Sequence, residues 1–157
     1  MRPDLTDRKS IAEGTAVTEP VAGSRVAALY DTELMDSGPE ERFDRLTRLV
    51  AATLSVPVAL ISLVDTKRQF FKSTYGLPEP WSRERETPLS HSFCRHVVER
   101  ASPLIINDAT ADPLVCDNLA VRDLNVRAYL GIPLRTKDGH VLGSLCAIDA
   151  TPRRWTE

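Results

Sequence analysis

A chain of 157 residues has room for one domain with a sizeable core, and its 42% hydrophobic and 27% charged residues are ordinary for a globular protein. A formal net charge of −2 gives no electrostatic reason to expect nucleic acid or an anionic membrane as partner. No run approaches the roughly 18 apolar residues of a membrane span, and Met1 to Asp7 lack the apolar core of a signal peptide, so a cytoplasmic location is the default expectation.

Residues 1–23 are polar, with scattered Gly, Pro, Thr and Glu and no sustained period, and read as a disordered leader. Ser24 can cap a short helix carrying Val26, Leu29 and Tyr30 toward Met35. Ser37-Gly38-Pro39 interrupts it, and Pro39 suits the first turn of the next helix. That helix, Glu40 to about Leu54, is the clearest in the chain: Phe43, Leu46, Val50 and Leu54 recur at helical spacing and predict one core-facing stripe. Val56 to Val64 is a nearly continuous apolar run and reads as a buried central strand. After a polar turn, Gln69 to Thr74 returns as its antiparallel partner, with Phe70 as core and Lys72 as solvated surface. Gly76 to Thr87, with two prolines and Trp81, reads as a long surface loop of the kind that covers sites, Trp81 anchoring it.

A helix is expected from about Ser90 to Arg100, then a short strand at Leu104-Ile-Ile106 and an irregular segment through Asp123. Val126 to Leu134 reads as a strand in which Gly131 and Pro133 suggest a bulge or an edge, and Arg127 faces away from its neighbours. Asp138-Gly139 forms a hairpin turn into the strand Val141 to Ile148. Many hairpins and few crossovers favour an α+β fold with a mainly antiparallel sheet. Trp155-Thr156 reads as the entry to a further helix capped by Thr156.

The stretches Glu40-Glu-Arg-Phe-Asp-Arg-Leu, Val58-Ala-Leu-Ile-Ser-Leu-Val-Asp, Ser90-His-Ser-Phe-Cys, Ile106-Asn-Asp-Ala and Asp138-Gly-His-Val-Leu-Gly-Ser-Leu-Cys-Ala-Ile-Asp together resemble the GAF domain. The subtype is the bacterial one found ahead of sensor histidine kinases, diguanylate cyclases and metal-dependent serine phosphatases. The resemblance covers residues 24–157 as a single domain that lacks its C-terminal helix. It implies a central antiparallel sheet with helices on one face and a loop-covered pocket on the other. It also implies a sensory and regulatory role without catalysis: a small-molecule ligand, or dimerisation, alters terminal helices that relay to a kinase, cyclase or phosphatase output in the same protein or in trans. The ligand and any cofactor stay unnamed.

The candidate ligand-binding residues are His91, Phe93, Cys94, Asp108, Asp112, Asn118 and Tyr129. His91, Cys94 and His96 offer imidazole and thiol ligands, but only His91 and Cys94 share a helix face and no second cluster exists, so no metal site is assigned. The alternative reading gives Cys94 a local core role and leaves His91 hydrogen-bonding locally and His96 solvated. Haem would use His91; the cysteine-histidine adjacency of bilin sites and the Asn-Lys-x-Phe-Asp-Glu signature of cyclic-nucleotide sites are missing. Asp108, Asp112 and Asn118 offer short polar groups for a ligand, or form turns and cap a helix. Cys94, Cys116 and Cys146 are too few for a disulfide framework and read as reduced thiols. The enzymatic alternative resembles the free methionine sulfoxide reductase branch, with Cys116 and Cys94 as its thiols, although the glycine-rich sequence that precedes the cysteines there is absent.

Overall fold

The computed structural model describes residues 22–156, so the expected leader lies almost wholly outside the described residues. Six strands form one sheet in the order β3-β2-β1-β6-β5-β4. They are β1 (Val58–Val64), β2 (Arg68–Tyr75), β3 (Glu86–Pro88), β4 (Leu104–Ile106), β5 (Ala128–Arg135) and β6 (Val141–Asp149). Every neighbouring pair is antiparallel, as the hairpin-rich pattern requires. The two apolar runs, β1 and β6, lie side by side at the centre, where both faces must be covered.

Alternation along β1 sorts the two faces. Ala59 and Leu63 turn toward α1 (Ala22–Asp31) and α2 (Glu41–Leu54), joining Leu29, Met35 and Phe70 in one cluster and Ala51 and Ala147 in another. Leu60 and Val64 turn the other way, into the larger cluster with Phe71, Phe93, Val97, Tyr129 and Cys146. The two long helices thus share one face. The opposite face is covered by α4 (Cys94–Arg100), α5 (Leu119–Asp123) and the loop after β2, which contains the single-turn α3 (Trp81–Glu84).

Of the expected stripe on α2, Phe43, Val50 and Leu54 are partly buried, the last two against the Ala51 cluster, and Leu46 alone falls outside. Thr47 and Ala51 are the buried residues of the helix, while Leu46 is 44% exposed and Leu49 59% exposed. Polar bonding sets this rotation: Ser73 on β2 donates to the Asp44 carboxylate (2.6 Å) and bonds the Thr47 hydroxyl (2.9 Å). These bonds hold the Asp44–Thr47 side of the helix against β2 and leave Leu46 outside. The helix closes on Ser55, whose left-handed φ of 53° turns the chain so that the Val56 N–H also reaches the Ala51 carbonyl (3.1 Å).

Ser73 can reach α2 because β2 carries a bulge. Ser62 pairs with Phe71 and Ile61 with Ser73, which leaves Lys72 without an opposite residue. Lys72 and Ser73 therefore both reach toward the α2 side. Contrary to the solvated reading, Lys72 is 0% exposed: its ammonium donates to Ser37 Oγ (2.6 Å) and Gly38 O (2.7 Å) and pairs with Glu40 (2.6 Å). Three oxygens around the nitrogen replace its hydration, which is what makes a buried lysine tolerable.

The remaining elements refine the expectations. The helix expected over 90–100 is interrupted: a 3-10 turn (Leu89–His91) precedes an extended Ser92, and α4 starts after it. Ser92 Oγ accepts the Arg95 N–H (3.1 Å), which makes a fresh helix start. The long loop holds α3 and the short edge strand β3, with Arg85 bridging Ser37 O and Lys72 O while stacking on Phe70. Trp81 packs on the large cluster, in the anchoring role. Residues 151–156 are not helical; the Trp155 indole donates to Ile106 O (3.0 Å) instead. Among the described residues no helix is long and apolar enough to cross a membrane.

Candidate functional site

Between the sheet and its second face lies a partly enclosed hollow of about 40 Å³. Leu60 and Phe71 form part of its floor, Phe93, Cys94 and Ala120 come from the helical side, and Leu77 and Pro78 come from the loop after β2. Pockets for drug-sized ligands run about 300–1,000 Å³, so this volume admits a few water-sized groups and neither a nucleotide nor a haem.

Two buried polar centres flank the hollow. Gln69 is the first. Its Oε1 accepts from Ser62 Oγ (2.9 Å) and Ser92 Oγ (2.8 Å), and its Nε2 donates to Thr87 Oγ1 (2.8 Å) and His91 O (3.2 Å). Both lone pairs and both amide hydrogens are used, so Gln69 ties β1, β3 and the 3-10 turn together and has nothing left for a ligand. Tyr129 is the second. Its hydroxyl lies 3.2 Å from Cys94 Sγ and 3.2 Å from Ser144 Oγ, and its ring packs on Phe93 at 5.3 Å. Burial, reinforced by the adjacent thiols, pushes the Tyr129 phenol well above its ordinary range. Hydrogen bonding with Cys146 pulls the Cys94 thiol down despite burial, with Tyr129 and Ser62 assisting; the same contact, together with burial, pushes Cys146 up.

Of the residues expected at the site, His91, Phe93, Cys94 and Tyr129 line the hollow. His91 bonds across the surface to Asp123 (2.8 Å) on α5 and to Ser90 (3.0 Å), so its contact is partly long-range. Hydrogen bonds from Arg122, and then His91, hold the Asp123 carboxyl well below the usual range. Asp108, Asp112 and Asn118 do not line it. Asp108 Oδ1 accepts from the N–H and hydroxyl of Thr110, and Asp112 Oδ1 accepts from Leu114 N–H, so both residues shape local turns. Asn118 caps α5 through Ala120 N–H (2.9 Å) and donates to Ser92 O (3.0 Å), which fixes the helix carrying Ala120. His96, expected in solvent, is buried on α4 with Glu99 at 3.4 Å, and burial pushes its imidazole pKa down. Arg127 donates to Val121 O (2.7 Å). The sequence reading missed Gln69, Leu77 and Pro78; the available signal was a polar residue two positions before Phe71 on the inward strand face.

A wider groove of about 710 Å³ runs past Arg25, Asp65, Arg95 and His140 at one end of the sheet. Its polar groups are committed only in part: Arg95 Nε and His140 Nδ1 are buried without a hydrogen-bond partner. Arg25 donates to Val64 O (2.7 Å) and Val141 O (3.2 Å), and Asp65 accepts from Lys67 N–H, Arg68 N–H and Tyr30 OH. The hollow is the better candidate because four of the expected residues converge there. Among the described residues no group of three or more His, Cys, Asp or Glu side chains is placed to hold a metal ion.

A sequence model of the GAF domain matches residues 38–157. Cyclic di-GMP phosphodiesterase PA2567 of Pseudomonas aeruginosa is 37% identical over 131 residues, spanning 83% of this chain and 22% of that protein. The GAF domain of a phosphoenolpyruvate-protein phosphotransferase from Coxiella burnetii has a similar structure, with a TM-score of 0.61 at 18% identity over 87% of this chain and 84% of that one. The free methionine-R-sulfoxide reductase of Neisseria meningitidis has a TM-score of 0.57 at 16% identity over 87% of this chain and 75% of that one. At such identities the two solved structures speak for the fold alone.

Proposed function

The chain belongs to the GAF domain family, and from that premise we propose that this regulatory domain relays its signal by self-association through α2, with its pocket nearly filled by its own side chains. The carrying observation is the pairing of a 40 Å³ hollow with the exposed Leu46 and Leu49 on the opposite face. A volume that small disfavours a nucleotide or haem. Two leucines three apart on a 14-residue helix suit a second copy of the same helix. The relative named as a cyclic di-GMP phosphodiesterase favours an output domain that handles cyclic di-GMP, in the same protein or in trans.

The test is light scattering after size exclusion, on the native sequence and on L46E/L49E, with circular dichroism to verify the fold. A dimer that becomes a folded monomer in the double variant supports the reading. A native chain that stays monomeric at every concentration sinks it.

The second reading is a small ligand beneath the Leu77–Pro78 loop, favoured because that loop supplies part of the wall of the hollow. His91, Phe93, Cys94 and Tyr129 would contact it, while Asp108, Asp112 and Asn118 would hold the surrounding loop. Native and denatured mass spectra separate the readings: extra mass seen only in the native spectrum supports a ligand, and bare protein in both favours the relay. Sulfoxide reduction through Cys116 and Cys94 fits poorly, because the attacking and resolving thiols must meet at one site. Cys116 is exposed and outside the hollow, whereas Cys94 is buried within its wall.

A further inference from the structure

The thiol that Cys94 does meet is Cys146. Cys94 opens α4, Cys146 sits in the middle of β6, and their sulfurs are 3.9 Å apart. Both are buried, at 3% and 1% exposure, yet Cys94 lines the hollow. A single water requires about 10–15 Å³ of such space, so 40 Å³ accommodates a molecule of two heavy atoms. A disulfide has sulfurs about 2.05 Å apart, so the pair must close by a little under 2 Å.

We propose that Cys94 and Cys146 form a redox-active dithiol that reduces hydrogen peroxide, or a peroxide of similar size, and closes to an intramolecular disulfide. In the first step the Cys94 thiolate attacks one peroxide oxygen. A sulfur–oxygen bond forms, the oxygen–oxygen bond breaks, and the departing hydroxide takes the proton Cys94 released, leaving as water. In the second step the Cys146 thiolate attacks the Cys94 sulfur. The sulfur–sulfur bond forms, the sulfur–oxygen bond breaks, and hydroxide leaves as water with the proton from Cys146. Two thiols and one peroxide give one disulfide and two waters, with two electrons passing from sulfur to oxygen. The Tyr129 hydroxyl, 3.2 Å from Cys94 Sγ, loses the thiol as a partner on closure, while α4 becomes tied to the central strand. The hollow wall therefore differs between the two oxidation states.

The experiment uses the full chain carrying Cys116→Ser, which removes the exposed thiol without touching the core. It is treated with equimolar hydrogen peroxide in native buffer, alkylated under denaturing conditions, and analysed by intact and peptide mass spectrometry. Both thiols should disappear together, with loss of two hydrogens, a Cys94–Cys146 linked peptide, and reversal by dithiothreitol. In the same background Cys146→Ser should stop at a Cys94 sulfenic acid that dimedone captures. Two thiols that are still alkylated on denaturation after the native peroxide treatment, or separate oxygen additions with no linked peptide, would overturn the proposal. So would a disulfide that forms in urea but not in native buffer.

Discussion

Gly131 offers a sharp test of how tightly this site is built. It faces Tyr129 two residues earlier on β5, and a Cβ added there would lie 2.3 Å from the Tyr129 hydroxyl oxygen and 2.7 Å from two ring carbons. The ring has little room to retreat, because Tyr129 is 1% exposed, packs on Phe93, and is bonded to Cys94 and Ser144. Gly131→Ala should therefore destabilise by about 1–3 kcal/mol through overpacking, a fall in Tm of about 3–9 °C for a domain of this size. The sign is the discriminating feature. Where space permits, Gly→Ala stabilises by about 0.4–1 kcal/mol by restricting the unfolded chain, and Gly38, with nothing near its added Cβ, provides that control. Tyr129→Phe alone should cost about 1 kcal/mol for its hydroxyl bonds. In the Gly131→Ala background it should cost less or help, since it removes the shortest contact. Urea denaturation of the four proteins closes the double-mutant cycle. Gly131→Ala at or above native stability, or additive single effects, would refute the reasoning.

Three further outcomes follow from the described contacts. His96 has its pKa lowered by burial below the ordinary 6.5, so the folded state disfavours its charged form. The unfolded chain then binds more protons, and His96 contributes stability that is complete above pH 6.5 and declines as pH falls through the lower folded pKa. The stability gap between the native chain and His96→Asn should narrow on acidification, and a constant gap in urea titrations from pH 8 to pH 5 would count against it. Lys72→Met keeps the volume but strands Ser37 and Gly38 acceptors, while the half-exposed Glu40 regains water; a loss of about 1–3 kcal/mol is expected, and an equal or higher Tm would contradict it. Asn118→Ala removes the α5 cap and the bond to Ser92, costing about 1–2 kcal/mol, with the earliest hydrogen exchange in residues 119–123. Unchanged exchange there would show that packing alone holds α5.

The sheet was legible because its strands are carried by apolar runs and a strong Asp-Gly turn, signals that depend little on tertiary context. What tertiary context decides was not. The rotation of α2 follows from Ser73 bonding Asp44 and Thr47, and no periodicity of leucines reveals a hydroxyl on another strand. Lys72 reads as surface because lysine seldom goes inside, and its burial depends on three oxygens from the α1–α2 connection. The short β3 and the interruption at Ser92 are likewise set by partners, chiefly Gln69 and Arg95 N–H. At the hollow, His91, Phe93, Cys94 and Tyr129 could be found from their residue types and their places in the motifs. Asp108 and Asp112 have the same chemistry on paper, but each carboxylate accepts an N–H two residues ahead and shapes a local turn. Gln69 escaped notice because a strand glutamine has no distinctive spacing.

The unopposed Lys72 gives β2 something like a reading frame. Before it, alternate residues from Gln69 to Phe71 address the hollow; after it the phase is inverted, and Ser73 addresses α2. Removing Lys72 would restore regular pairing, with Phe71 opposite Ser62 and Ser73 opposite Ile61, and would leave every side chain beyond it on its present face; removing a residue elsewhere in the strand would exchange the audience of the side chains past it. The helix grip and the hollow are thereby written in opposite phases on a single strand. Substitutions can adjust either one independently, whereas a single-residue deletion is absorbed only at the bulge and elsewhere in the strand corrupts the message to one side or the other.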